Sequence, residues 1–188
     1  MVKITAIKEV VKALYQNVTT KYPYGPPTHV PERLRGLPQF DEDKCIGCGA
    51  CYASCSAGAI SLVNKADSRK IDIPHTRCIY CGRCEDICPE EAIKLSNTFE
   101  LATDNKDLAV VSIEFNMHKC KNCGGPITTP QQIDRIKERI LEEIDPRIKE
   151  IAAQDLSKYM DLCVECRGKM SYEINTHTRK YYLREWAK

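Results

Sequence analysis

Four features that would each point to a class of protein are absent or weak in this sequence. No apolar run approaches the ~20 residues of a membrane-spanning helix. Lys3, Lys8, Glu9 and Lys12 interrupt the N-terminal segment, so we also expect no secretory signal. The formal net charge is only +2, which argues against nucleic acid as the partner. No nucleophile–base pair, glycine-rich phosphate loop or nicotinamide fingerprint is present, and we therefore expect no catalytic site within the chain.

Cysteine, by contrast, is abundant. The chain has 12 cysteines in 188 residues, arranged in four groups. Disulfide scaffolds with so many cysteines are secreted proteins, and we expect this chain to stay inside the cell. We therefore interpret the cysteines as metal ligands and not as a disulfide framework.

Eight of the cysteines form two copies of one pattern, C-x2-C-x2-C-x3-C. The first run extends from Cys45 to Cys55 and the second from Cys78 to Cys88. This is the pattern that binds [4Fe-4S] clusters in two-cluster ferredoxins, where the fourth cysteine of each run ligates the other run's cluster. An array of zinc knuckles would have no use for the third cysteine of each run.

Crossing the two runs in this way predicts two ligand sets. Cluster 1 is expected to bind Cys45, Cys48, Cys51 and Cys88. Cluster 2 is expected to bind Cys78, Cys81, Cys84 and Cys55. The crossing places both clusters in one small module, close enough for electrons to pass between them. We expect five isoleucines to surround the clusters: Ile46, Ile60, Ile79, Ile87 and Ile93.

Strands are predicted around the runs. Short apolar segments follow them, at residues 59–63 and 92–95. Residues 69–73 alternate between polar and apolar side chains, which predicts a strand that pairs with residues 60–63 through the turn at 64–68. A further strand is predicted over residues 108–115.

The other four cysteines, Cys120, Cys123, Cys163 and Cys166, form two C-x2-C knuckles. Two such knuckles indicate a tetrahedral four-thiolate site. We interpret its metal as zinc, with a rubredoxin-like iron, a reversible dithiol pair or an empty site as alternatives. His118 is an alternative ligand, but four cysteines suffice, and we interpret it as a bystander.

The segment between the knuckles explains their wide separation. Isoleucines at helical spacing predict a helix over residues 131–144, and Pro146 opens a second helix that ends near Met160. The predicted metal site therefore joins the two ends of a helical insert.

The termini are expected to make contacts outside the cysteine-rich module. Ile4, Ile7, Val11, Leu14 and Val18 follow alternating intervals of three and four, which predicts an amphipathic helix over residues 2–18. Such a helix docks on a partner subunit, lies at a membrane interface or packs on its own domain. A proline-rich connector of about 20 residues, which begins at 22–27 and includes Pro31 and Pro38, is expected to be extended and non-helical. The aromatic and basic tail at 172–188 is expected to pack on the metal lobe or on a partner.

These patterns predict an α+β fold in three parts. Residues 1–40 form an N-terminal amphipathic helix and an extended docking arm. Residues 41–102 form a two-[4Fe-4S] ferredoxin-like domain. Residues 103–188 form a C-terminal lobe with a helical insert, held by the four-cysteine metal site.

Beyond the cysteine runs, two motifs narrow the interpretation: the connector at 22–27 that leads through Arg35 and Gly36 to the first run, and the segment 99–102. Together with the runs, they resemble the two-cluster ferredoxin-like subunit of respiratory complex I and of the group 4 membrane-bound NiFe hydrogenases. The C-terminal lobe is similar to the extension of that subunit in formate hydrogenlyase-like complexes.

The resemblance implies an electron-transfer subunit that relays electrons through two [4Fe-4S] clusters. Its implied partners are the hydrogenase-like small and large subunits of a membrane-bound oxidoreductase complex, and its implied location is peripheral, on the cytoplasmic side of the membrane. Arg35 and Gly36 are implied to contact neighbouring subunits. Two alternatives stay open: a soluble ferredoxin-type carrier or dehydrogenase electron-transfer subunit, and a zinc-stapled nucleic-acid-binding module.

Overall fold

The structure, a computed structural model, describes residues 4–15, 25, 29–100 and 103–170. Residues 22–24 and 26–28 of the predicted connector lie outside the described residues. So do Val18 of the predicted N-terminal helix, Leu101, Ala102 and the predicted tail from Tyr172. The chain divides into two compact units, Met1–Leu34 and Arg35–Lys188.

The first unit contains helix α1, Ile4–Tyr15, as the apolar spacing predicts. All twelve of its residues are exposed, and Leu14 on the apolar stripe is 76% exposed. Packing of an amphipathic face, more than propensity, is the usual source of helix stability in proteins. The exposed stripe of α1 is thus a surface suited to contact with another molecule. No helix among the described residues combines the length and the apolar character needed to cross a bilayer.

The second unit is built on two antiparallel sheets. Strand β1, Pro38–Phe40, pairs with β4, Ile93–Leu95. The other sheet has the order β2-β3-β5, with β2 at Ser61–Asn64, β3 at Ser68–Pro74 and β5 at Val110–Asn116. The pairing register of β2 with β3 confirms the predicted hairpin.

Strand β3 supplies the centre of the core. Its inward face carries Arg69, Ile71 and Ile73, all buried, while the residues between them are partly exposed. Side chains alternate between the two faces of a strand, so this pattern follows directly from the sequence. Ile71 and Ile73 pack with buried residues of the other strands and with the cysteines of both runs.

Two short helices occupy equivalent places in the two runs. Helix α2, Ala50–Ser54, follows Gly49, and helix α3, Arg83–Asp86, follows Gly82, with both glycines in the left-handed conformation. Each helix carries the third cysteine of its run, Cys51 or Cys84 in that order. The duplication of the sequence is therefore a duplication of local structure.

After a 3-10 turn at Lys106–Ala109 and β5, three helices follow: α4 at Pro130–Glu143, α5 at Lys149–Tyr159 and α6 at Val164–Lys169. The first two confirm the predicted helical insert. Thr129 caps α4 by accepting a hydrogen bond from the amide of Gln132, and Pro130 occupies the first turn, where its missing N–H costs nothing.

Strand β5 lies after the predicted domain boundary at residue 103, in the range assigned to the C-terminal lobe. It nevertheless pairs over seven residues with β3, which belongs to the predicted ferredoxin-like domain. The three-part division of the chain stays a prediction.

A second small core does form in the lobe, where Leu162 packs with Cys120 and Cys166.

Candidate iron-sulfur and metal sites

The structure brings the eight cysteines of the two runs together in two groups of four. The first cavity is lined by Cys45, Cys48, Cys51 and Cys88. The second cavity is lined by Cys55, Cys78, Cys81 and Cys84. In each group three cysteines come from one run and the fourth from the other run, which is the grouping that the ferredoxin pattern predicts.

Strand β3 places the two cavities side by side. Ile71 lines the first cavity and Ile73 lines the second. Residues two apart on a strand are separated by about 7 Å. The two groups of thiols therefore belong to one continuous core and not to separate lobes.

Backbone amides point at the fourth cysteine of each run. The amide of Ala59 donates to Sγ of Cys55 at 3.3 Å, and the amide of Ala92 donates to Sγ of Cys88 at 3.2 Å. Each donor lies four residues after its cysteine. A cluster ligand is an ionised cysteine, and hydrogen bonds to its sulfur tune the cluster.

Burial opposes that ionisation at the third cysteine of each run. Desolvation raises the pKa of Cys51 to about 12 and that of Cys84 to about 11. A bound metal cation reverses this preference, because a coordinating thiol is deprotonated. These buried thiols are thus suited to a cationic group and poorly suited to standing alone as thiolates.

The donor sets fit iron-sulfur clusters better than single ions. All twelve cysteines are described, and none forms a disulfide. Among the described residues, only the four cysteines of the lobe bring three or more ligand atoms within 4.8 Å of one another. The eight cysteines of the two runs are spread more widely around apolar cavities. Four spaced thiols around an apolar cavity fit a [4Fe-4S] cluster.

The surroundings of the first cavity include residues that the sequence interpretation did not single out. Arg69 Nη1 donates to the carbonyl of Gly47 at 2.7 Å, and Thr129 Oγ1 donates to the carbonyl of Ile46 at 2.5 Å. A Cβ on Gly47 would lie 2.9 Å from the Phe115 ring. The alternation of β3 was a signal for Arg69, because it puts this residue on the same face as Ile71 and Ile73.

The second cavity has an exposed thiol at its edge. Cys81 is exposed, and the amide of Arg83 lowers the pKa of its thiol. Ile79 lines the cavity as expected but is 63% exposed, and Ile87 is also exposed. Ile46, Ile60, Ile79 and Ile93 all line a cavity and so confirm the prediction, whereas Ile87 lines neither.

Arg35 and Gly36, which the resemblance places at subunit contacts, make contacts within the second unit. Arg35 Nη1 donates to the carbonyl of Cys81 at 3.2 Å. The amide of Gly36 donates to the carbonyl of Ser96 at 2.8 Å. Arg35 and Gly36 therefore lie against the second run and the segment after β4, and their contacts to other subunits stay a prediction.

The four lobe cysteines form a compact group. Sγ of Cys123 and Sγ of Cys163 are 3.6 Å apart. A tetrahedral ion with metal–sulfur bonds of about 2.3 Å separates its ligands by about 3.8 Å. The amide of Cys163 donates to Sγ of Cys120 at 3.3 Å. Amides of Cys123 and Cys163 lower the pKa of Cys120 to about 6, so this group fits one tetrahedral ion.

His118 is placed outside the compact group. Its Nε2 lies 2.9 Å from Oδ1 of Asp161, which also pairs with Lys121. These contacts connect the strand before the first knuckle to the loop before the second. The structure thus gives His118 a polar partner other than a metal.

Comparison with known proteins adds the family. Residues 39–95 match a 4Fe-4S dicluster domain. The chain is 32% identical over 165 residues to formate hydrogenlyase subunit 6 of Escherichia coli (strain K12), a match that spans 87% of each chain. A shorter match, 53% identical over 32 residues, links 17% of this chain to 18% of F(420)H(2) dehydrogenase subunit I of Methanosarcina mazei.

Among solved structures, a chain of the membrane-bound sulfane sulfur reductase, an archaeal respiratory membrane complex, is 31% identical. That match includes 57% of this chain and 59% of the other, with a TM-score of 0.37. The match to formate hydrogenlyase subunit 6 covers most of both proteins, and it confirms the predicted resemblance: this chain carries a 4Fe-4S dicluster domain and belongs to the family of formate hydrogenlyase subunit 6.

Proposed function

We propose that the chain is the electron-transfer subunit of a membrane-bound complex related to complex I and to membrane-bound hydrogenases. The observation that carries this proposal is the pair of adjacent four-cysteine cavities in a chain of the formate hydrogenlyase subunit 6 family. A [4Fe-4S] cluster in each cavity supplies reversible one-electron chemistry. Cys45, Cys48, Cys51 and Cys88 hold the first, and Cys55, Cys78, Cys81 and Cys84 hold the second.

The protein's own part is to place the two sets of thiols close together and to keep water from them. Ile71 and Ile73 separate the cavities by one repeat of β3, and both are 1% exposed. Apolar surroundings of this kind protect a cluster and adjust its potential. The exposed edge of the second cavity at Cys81 is suited to contact with a neighbouring redox subunit.

The N-terminal unit, together with surface contacts of the second unit, attaches the chain to the complex in this proposal. The exposed stripe of α1 supports docking on a partner, and the names of the relatives support hydrogenase-like and dehydrogenase subunits as partners. The subunit would be peripheral to the membrane, on its cytoplasmic side. A soluble ferredoxin-type carrier is the alternative, and membership of this family favours the complex.

Zinc is the metal we propose for Cys120, Cys123, Cys163 and Cys166. The 3.6 Å separation of Cys123 and Cys163 supports a tetrahedral ion that holds the knuckles together. A rubredoxin-like iron is the alternative for the same ligands. Metal analysis of the purified chain distinguishes them, because zinc leaves about eight irons per chain from two clusters, whereas a rubredoxin-like site adds a ninth.

The function is tested by isolating the protein from membranes of its native cell. We expect hydrogenase-like subunits to accompany it, and two [4Fe-4S] signals in its electron paramagnetic resonance spectrum after reduction. Recovery as a free monomer with no such subunits would contradict the proposal. A variant that lacks residues 1–20 is expected to keep both signals and lose assembly; if α1 instead packed on its own domain, stability would fall.

A further inference from the structure

Arg69 is a buried cation that has no anionic partner among the described residues. It is 8% exposed and is the one Lys or Arg among the buried residues that the structure describes. Its hydrogen-bond acceptors are neutral oxygens: Asn64 Oδ1 at 2.8 Å, the Gly47 carbonyl, Thr128 Oγ1 at 3.2 Å and Gln132 Oε1 at 3.4 Å. None of the ion pairs between described residues includes it. A buried charge is costly unless an opposite charge compensates it.

The guanidinium of Arg69 lies against the loop that carries three of the four thiols of the first cavity. Its acceptor Gly47 stands between Cys45 and Cys48 in the sequence, and its contact with the Gly47 carbonyl is 2.7 Å. Burial lowers the pKa of Arg69, and the neighbouring Cys48 opposes that change. Ligating thiolates on this loop would therefore supply negative charge beside Arg69.

The C-terminal lobe holds Arg69 in this position. Thr128 and Gln132, at the start of α4, accept hydrogen bonds from Nη1. Thr129, which is fully buried, donates to the carbonyl of Ile46. Further along α4, Arg135 and Arg139 pair with Glu90, a residue that lines the same cavity. Helix α4 thus fixes Arg69 and neutralises the nearby carboxylate.

The second cavity has no equivalent within the described part of the chain. Two arginines lie at its thiol loop and both are exposed: Arg35, which donates to the carbonyl of Cys81 at 3.2 Å, and Arg83, which lines the cavity. Water and salt screen an exposed charge far more than a buried one. The electrostatic surroundings of the two cavities therefore differ although their cysteines repeat.

We propose that Arg69 is the counter-charge of the cluster in the first cavity and selectively raises its reduction potential, so that it favours the electron on that cluster. The inference rests on the proposed function, and it states which of the two clusters is the more easily reduced. A fixed positive charge stabilises the form of a cluster that carries the extra electron. Arg69 is a positioning residue that acts through the charge it places beside the thiolates.

The experiment is a redox titration of the full chain with both clusters, followed by electron paramagnetic resonance. Arg69→Gln removes the charge and should lower the midpoint potential of one cluster while the other stays unchanged. Arg69→Lys keeps the charge and should keep most of the wild-type potential. Lys70→Gln is the matched control, because Lys70 is the next residue of β3, faces the other side and pairs with Asp72 at 2.9 Å; both midpoints should stay unchanged. Cys84→Ser identifies the signal of the second cavity.

A second variant covers the case in which Arg69→Gln loses the cluster. Gln132→Glu leaves Arg69 in place and puts a carboxylate 3.4 Å from its Nη1, so the same midpoint should fall. The midpoints are compared in whichever of these variants retains both clusters. The inference is overturned if both midpoint potentials stay unchanged there, or if both shift equally. Absence of two cluster signals from the wild-type chain would instead contradict the proposed function.

Discussion

The two cysteine runs have the same pattern and different surroundings. The loop of the first run lies against Phe115 of β5 and Thr129 at the start of α4, and a buried arginine donates to it. The loop of the second run ends in an exposed thiol, Cys81, beside the exposed Ile79. The ligands are duplicated, but the elements that cover one site are not. A repeated sequence thus makes two sites of unequal character once later segments of the chain fold over one of them.

Replacing the fourth cysteine of either run by serine should have the largest effect, because it should damage one cluster and spare the other. Cys88→Ser should remove or damage the cluster of the first cavity, and Cys55→Ser that of the second, because each lines the cavity opposite to its own run. Iron analysis and electron paramagnetic resonance measure the outcome, with each variant as the control for the other. Damage in the reverse order would show that each run holds its own cluster.

Loss of the lobe metal should be the next largest effect. Cys163→Ser removes one of four clustered thiols and should release the metal, loosen the segment from 118 to 170 and speed its proteolysis. Both iron-sulfur signals should survive, with any change confined to the first cavity, which α4 contacts. His118→Ala is the matched control, because His118 lies beside the site but pairs with Asp161, and it should keep the metal. Loss of both cluster signals in Cys163→Ser would contradict a separate lobe.

Gly47→Ala tests how closely β5 and α4 cover the first run. Gly47 has φ +66, and an added Cβ would lie 2.9 Å from both the Phe115 ring and Thr129 Cγ2. Gly58 has φ +55, with nothing within 4 Å of an added Cβ. Each alanine would be strained by a left-handed backbone. The difference in stability between the two variants therefore measures the crowding of the Cβ at position 47.

We expect Gly47→Ala to lower the free energy of unfolding by about 1–3 kcal/mol more than Gly58→Ala does. Thermal unfolding without oxygen, with cluster absorbance as a second probe, provides the measurement. Equal melting temperatures for the two variants would mean that the first loop is not covered as the structure indicates.

The pairing of β5 with β3 brings Phe115 to the first run. The pH dependence of stability tests this pairing, because Asp72 of β3 accepts a hydrogen bond from Ser112 of β5. Burial alone would raise the pKa of Asp72, but a hydrogen bond from Ser112 at 2.5 Å and the ammonium of Lys70 lower it overall. A carboxyl with a lowered folded-state pKa stabilises the fold above its unfolded pKa of about 3.9, and this contribution is lost as pH falls through the folded value.

Asp72→Asn should therefore cost less than about 1 kcal/mol near neutral pH, and the difference from wild type should shrink below about pH 4. Unfolding measured across this pH range checks the sign, and Ser112→Ala should weaken the same pH dependence. A difference that grows as the pH falls would contradict the lowered pKa.

Much of the fold follows from local patterns. The hairpin of β2 and β3, the helices α4 and α5 and helix α1 lie where periodicity predicts them, because the two faces of a strand or helix differ in their contact with water. The grouping of the eight cysteines also agrees with the pattern of the runs. The lobe site was predicted from knuckle spacing alone, and its four thiols do meet.

What the sequence did not predict depends on contacts between distant segments. Arg69 could be placed on the inward face of β3, but its neighbours Gly47 and Gln132 are 22 residues before it and 63 after it. Ile79 lines the second cavity as expected, but the sequence did not predict that it is 63% exposed. Local apolar character does not say which residues a later segment will cover.

The sequence by itself determined the candidate ligand atoms, the spacing that groups them, and the family, because thiol spacing is a local property of the chain. Only the tertiary structure decided that the two sites are unequal. The reason is physical: burial of a charge and cover over a thiol loop depend on the packing of β5 and α4 against the first run, and these contacts exist only once the chain has folded.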